Sequence, residues 1–85
     1  MKAKEMFEEL GYKEVKEWSN IIHYENMIDE KFEQRHIIEF VVNHEFISVA
    51  SKFGKFTYGA FNGIDVKLLQ AINQQCKELG WLEDK

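Results

Sequence analysis

Apolar residues at the two ends of the chain recur with helical spacing, while those in the middle alternate with polar ones. Ala3, Met6, Phe7 and Leu10 form one stripe, and Gly11 follows where a helix closes on a left-handed residue. This predicts a helix over Lys2 to Leu10. It is too short to persist alone in water, because nucleation is costly and propagation brief, so its stripe must dock on another element. Val66, Leu69, Ile72, Cys76 and Leu79 mark a second, stronger helix face, with Lys67, Gln70, Gln74, Lys77 and Glu78 outside. Asp65 is placed to cap that helix, Ile64 and Leu69 to staple its first turn, and Gly80 to end it before Trp81. Both helix ends share one stop signal, a glycine followed by an aromatic. A Schellman ending folds that aromatic back, Tyr12 onto Phe7 and Trp81 onto Cys76.

Between the helices the period changes to two. Ile37 to Val42 and Phe46 to Ala50 read as a hairpin around Asn43-His44, a pair suited to a two-residue turn. With Val42 facing Glu45, Phe40 falls opposite Ile47 and Ile38 opposite Val49 on one face, and Val41 with Phe46 and Ile37 with Ala50 on the other. Asn20 to Glu25 reads as a further strand, Tyr12 to Trp18 around Val15 as a weaker one, and the glycine-punctuated Phe53 to Gly63 stretch has room for a short edge strand. The expected fold is a single α+β domain over residues 1–85: an antiparallel sheet of three to four strands flanked by an N-terminal and a C-terminal helix, in the order α-β-β-β-β-α.

Composition sharpens this picture in a few places. With 85 residues, 45% of them hydrophobic, the chain makes one domain that must bury most of its large apolar side chains. The single cysteine, Cys76, excludes an intrachain disulfide and a four-cysteine zinc site, and fits a reducing cytoplasm. The charged N-terminal segment lacks the apolar run of a signal peptide, and no stretch is long enough to span a membrane. A net charge of −4 disfavours nucleic acid as a partner. From Ser48 to Ile64 there is no acidic residue, so one surface is less acidic than the rest.

Candidate chemistry is sparse. A turn centred on Asp29-Glu30 would set His23 opposite His36, but zinc wants three or four ligands and only Glu25 lies close on the same face. Cys76 sits on the apolar stripe near the negative end of its helix, where a thiol is hidden and a thiolate disfavoured. Glu8 with Glu9, Glu14 with Glu17 and Glu83 with Asp84 lack the apolar surroundings that would separate their pKa values for acid and base roles. Gly54, Gly59 and Gly63 are too widely spaced for a phosphate loop. No catalytic residue, metal ligand or cofactor is therefore assigned. The aromatic loop is the sharpest remaining feature: Phe53, Phe56, Tyr58 and Phe61, with Lys52 and Lys55, could stack the bases of a single strand or anchor a protein.

The ending Leu68-Leu69-Gln70-Ala71-Ile72-Asn73-Gln74-Gln75-Cys76-Lys77-Glu78-Leu79-Gly80-Trp81 and the opening Met6-Phe7-Glu8-Glu9-Leu10-Gly11-Tyr12 resemble small uncharacterised proteins of phages and prophages in Gram-positive bacteria. The resemblance implies an α+β domain acting inside a bacterium and carries over no functional residues. The leading reading is a non-catalytic interaction or accessory protein, with both helices packed on the Ile38, Phe40, Ile47, Val49 face. Ile37, Val41 and Phe46, with Phe56, Tyr58 and Phe61, are left to contact a host or phage protein or to form a homodimer. A single-stranded nucleic-acid module using Tyr58, Phe56, Lys52 and Lys55 is the alternative, and a small enzyme or metal protein the third.

Overall fold

The computed structural model describes residues 1–55, 57–59 and 63–82. In chain order it contains helix α1 (Ala3–Glu9), strands β1 (Lys13–Val15), β2 (Ile21–Asp29), β3 (Gln34–Val41), β4 (Phe46–Phe53) and β5 (Thr57–Gly59), and helix α2 (Val66–Glu78). The strands form one antiparallel meander in the order β1-β2-β3-β4-β5. The sheet thus has five strands where three to four are expected, because the brief edge strands at Val15 and Tyr58 both form. Three residues each are too few to show an alternation of their own.

Both helix ends close as their glycines require. Tyr12 N–H reaches Phe7 C=O at 2.9 Å and Gly11 N–H reaches Glu8 C=O at 3.0 Å, with Gly11 at φ 95°. Trp81 N–H to Cys76 C=O and Gly80 N–H to Lys77 C=O repeat the pattern at 2.9 and 3.0 Å. The returning aromatics then pack inward: the Tyr12 ring stands edge-on to Phe7 at 5.8 Å, and Trp81 meets Phe40 at 6.2 Å.

The core lies between the helices and one face of the sheet. Phe7 is its hub, stacked on Tyr24 at 4.0 Å and edge-on to Phe40 at 6.1 Å. Ile38, Leu68, Ala71, Ile72 and Cys76 complete it, with Ile22 and Ile47 packed at its margin. Tyr24 brings a hydroxyl into this apolar layer and donates it to Gln75 Oε1 at 2.8 Å. Among the described residues no buried side-chain nitrogen or oxygen lacks a partner. α2 sits rotated from its expected face, which puts Leu68 and Ala71 into the core. Leu68, Ala71, Ile72, Gln75 and Cys76 are buried, while Val66 (68% exposed) and Leu69 face outward. In this orientation Gln75 meets the tyrosine. Asp65 caps it as expected, accepting from Leu68 N–H at 2.8 Å. The two helices are clasped where Ala3 N–H donates to Glu78 Oε2 at 2.6 Å.

The β3–β4 register is the expected one, with Val41 opposite Phe46, Phe40 opposite Ile47, Ile38 opposite Val49 and Ile37 opposite Ala50. Its connection is wider than a two-residue turn: Val42–His44 coil into a single 3-10 turn, and Glu45 closes it in the left-handed region at φ 48°. The β2–β3 register departs from expectation. Asp29 opens that turn, its carboxylate accepting from Lys31 N–H at 2.9 Å, so the turn sits later in the chain and His23 pairs with Glu39 while His36 pairs with Asn26. The two histidines therefore lie on opposite faces of the sheet. No helix among the described residues is long and apolar enough to cross a membrane.

Candidate functional site

With both helices on one side, the other side of the sheet is uncovered among the described residues. Strand alternation and register place Val15, His23, Glu39 and Ser48 in one row across it, Lys13, Glu25, Ile37 and Ala50 in the next, and Met27, Arg35, Lys52 and Tyr58 in a third. Ser48 and Ala50 are small, so the middle of β4 is low. Trp18 and Tyr58 rise on either side, and together these residues shape a depression of about 370 Å³ over Ile37, bordered by Glu17, His23, Glu25, Glu39 and Lys52.

His23 organises the acidic side of this depression. Its ring is 5% exposed, with Nδ1 3.0 Å from Glu39 Oε2 and Nε2 2.9 Å from Glu25 Oε1. A carboxylate can only accept, so both ring nitrogens donate at once only in the imidazolium form, and the neutral ring keeps one of the two bonds. Trp18 tilts over the imidazole at 5.1 Å, and Arg35 Nε stands 3.9 Å from Glu25 Oε2. The arrangement holds three side chains together at one wall of the depression, each ring nitrogen turned to its own carboxylate. At the other wall the Lys52 ammonium lies 5.6 Å from the centre of the Tyr58 ring.

The residues singled out by sequence separate clearly. Phe46 (59% exposed) and Tyr58 (64% exposed) present their rings to solvent, Val41 is half-buried, and Phe56 and Phe61 lie outside the described residues. Ile37 is only 5% exposed. It is the floor of the depression and offers no free contact surface, because the taller side chains around it close over a central strand position. Phe53 and Tyr58 point to opposite faces, since Lys52 pairs with Tyr58 and Phe53 with Thr57, so these two aromatics cannot stack successive bases in one row. Among the described residues no group of three His, Cys, Asp or Glu side chains is arranged to hold a metal ion.

Glu39 and Trp18 are the site residues that sequence reasoning passes over. Glu39 carried a signal, being the one charged residue in the otherwise apolar run from Ile37 to Val42. Trp18 carried none, because the segment after β1 has no period. Burial raises the Tyr12 hydroxyl pKa to about 12 and, together with nearby carboxylates, raises that of Tyr24 further still; burial also pushes the Cys76 thiol up. All three belong to the helix side of the sheet. Comparison with protein-family models, curated proteins and solved structures gives no match to the chain.

Proposed function

We propose that this is a non-catalytic protein-interaction or accessory protein of phage or prophage origin, acting in the bacterial cytoplasm, whose contact surface is the uncovered sheet face. One observation carries the reading: a face left bare by both helices holds the exposed rings of Trp18 and Tyr58 on either side of a depression whose Glu25 and Glu39 are tied to His23, with Phe46 exposed farther along the same face. Exposed aromatics on a rigid sheet make strong anchors at little conformational cost, and the His23 cluster holds the surface in shape before any partner arrives. The partner class is a protein of the phage or its host.

The test compares affinity capture from the bacterial host by the wild type, Trp18→Ser and Tyr58→Ser, each first shown by circular dichroism to be folded. A protein held by the wild type and lost by both variants is the expected result. Identical capture by all three would remove the face from consideration.

A further inference from the structure

We propose that the depression over Ile37 receives an arginine side chain of the partner protein, its guanidinium stacked on Trp18 and bonded to Glu39. The inference rests on the reading of that face as a contact surface, and it names the chemistry that the partner brings.

The carboxylates of Glu17, Glu25 and Glu39 border the depression, along with the ammonium of Lys52. With His23 neutral, these border residues carry more negative charge than positive. Lys52 already lies 5.6 Å from the centre of the Tyr58 ring, at the opposite wall from Trp18. Glu25 is approached by Arg35, whose Nε stands 3.9 Å from its Oε2. Glu39 is the cross-strand neighbour of His23, and Trp18 tilts over that same imidazole at 5.1 Å. An aromatic ring and a carboxylate thus stand within reach of one long side chain.

His23 gives an independent sign of what is wanted there. The ring is nearly buried, with Nδ1 3.0 Å from Glu39 Oε2 and Nε2 2.9 Å from Glu25 Oε1. A neutral imidazole has one proton for these two acceptors, so one contact sets a nitrogen lone pair against a carboxylate oxygen. The cluster is short of one donor, and a positively charged donor beside the glutamates relieves the repulsion.

Desolvation then selects the occupant. Glu25 and Glu39 keep 30% and 29% of their side-chain surface in contact with solvent, and whatever fills the depression strips that water away. An apolar side chain would leave the carboxylates without donors, and an acidic one would repel them. A basic side chain replaces the water with charge-assisted bonds. Of the two basic side chains, arginine fits these walls: its guanidinium is planar, presents paired donors to a carboxylate, stacks on an aromatic face and sheds water more readily than an ammonium. Trp18, 45% exposed, supplies the aromatic face, and Ile37 gives the methylenes an apolar floor.

Titration of the full chain with N-acetyl-arginine methylamide, followed by the NMR signal of the Trp18 indole N–H, tests the proposal. The neutral citrulline analogue, alike in shape, is the control. The expected result is a saturable shift with a Kd on the order of 10 mM for the arginine probe and binding at least about fivefold weaker for citrulline. Glu39→Gln, shown to be folded by its amide spectrum, weakens the arginine probe about fivefold, and Glu17→Gln, in an exposed segment, weakens it in the same direction. Glu8→Gln, an equal change of net charge on α1, leaves it unmoved. No saturable shift up to about 100 mM, equal binding of the two probes, or a Kd indifferent to both Glu39→Gln and Glu17→Gln overturns the proposal. In the capture experiment, a partner lost with Trp18→Ser yet held as firmly by Glu39→Gln overturns the arginine and leaves the contact face standing, whereas equal capture by every variant strikes the face itself.

Discussion

Removing the imidazole of His23 tests whether the charge cluster holds the uncovered face. In His23→Ala, Glu25 and Glu39 lose the imidazole that stands 2.9 and 3.0 Å from them, whose neutral ring donates to one of the two at a time, and they face one another without the ring between them. A hydrogen bond to a charged group is worth roughly 1.5–3 kcal/mol. The two glutamate side chains keep 30% and 29% of their surface, so water partly replaces the lost donor and the bond falls to about 1 kcal/mol. Loss of a nearly buried ring beside Trp18 adds about 1 kcal/mol, for a total near 2 kcal/mol. At ~0.05–0.15 kcal/mol per residue the whole domain has about 4–13 kcal/mol, so this is a large share of it. Urea unfolding followed by tryptophan fluorescence at neutral pH reads the loss directly, and the midpoint of thermal melting should drop by roughly 8–16 °C. A double-mutant cycle with Glu39→Gln isolates the cause. In the wild type that change takes the charge from the acceptor and weakens the bond; in His23→Ala it relieves an uncompensated carboxylate, giving a coupling of about 1 kcal/mol. A loss below about 1 kcal/mol in His23→Ala, or strict additivity with Glu39→Gln, refutes the reasoning.

Tyr24→Phe leaves Gln75 Oε1 buried without its donor and should cost about 1–2 kcal/mol in urea unfolding, much of which Tyr24→Phe with Gln75→Leu regains; no recovery would contradict the pairing. Gly11→Ala should destabilise by at least ~1 kcal/mol more than Gly80→Ala, since both positions are left-handed but only at Gly11 does a Cβ meet a neighbour, Asn26 Oδ1 at 3.1 Å; equal losses would mean that the contact is relieved without cost. Burial holds the His36 imidazole below its ordinary 6.5, so the folded chain takes up that proton less readily than the unfolded one. Its contribution is therefore intact above about pH 6.5 and lost as pH falls through the folded value. Urea midpoints between about pH 7.5 and pH 5 should accordingly fall less steeply in His36→Gln than in the wild type, and parallel slopes would exclude the effect.

How much of this could be read from the residues differs with the kind of constraint. Gly11 and Gly80 announced both helix ends because a left-handed closure leaves few choices of residue, and Asp65 announced a cap for the same reason. The β3–β4 register was legible because a one-residue slip would move Phe40 and Ile38 off the core face. The β2–β3 register was not, since Asn26 and Asp29 look like loop residues while one lies within the strand and the other starts the turn. The rotation of α2 was hidden because two apolar stripes share Ile72, Cys76 and Leu79, one running through Val66 and Leu69 and the buried one through Leu68 and Ala71. The site was half visible. Phe46 stands exposed as its strand position suggests, but the exposure of Tyr58 follows from an edge strand too short to show its own alternation, the depth of Ile37 depends on Trp18 and Tyr58 closing in from remote segments, and the His23 cluster depends on a register that sequence left open.

The meander has a kinetic corollary. Every strand pairs with its neighbour in the chain, so the sheet can zip from its hairpins by closing short loops, whereas α1 and α2 can touch only after the rest of the chain has brought them round. The Ala3 to Glu78 clasp is thus a late event on the folding route. Changes at that junction should hasten unfolding and leave the folding rate nearly untouched, while changes at Ile38 or Phe40 slow folding itself. A chain that has formed its strands but not yet its helix pair would expose Phe7's future seat to the solvent, and for that interval both sides of the sheet, not one, are open to a passing partner.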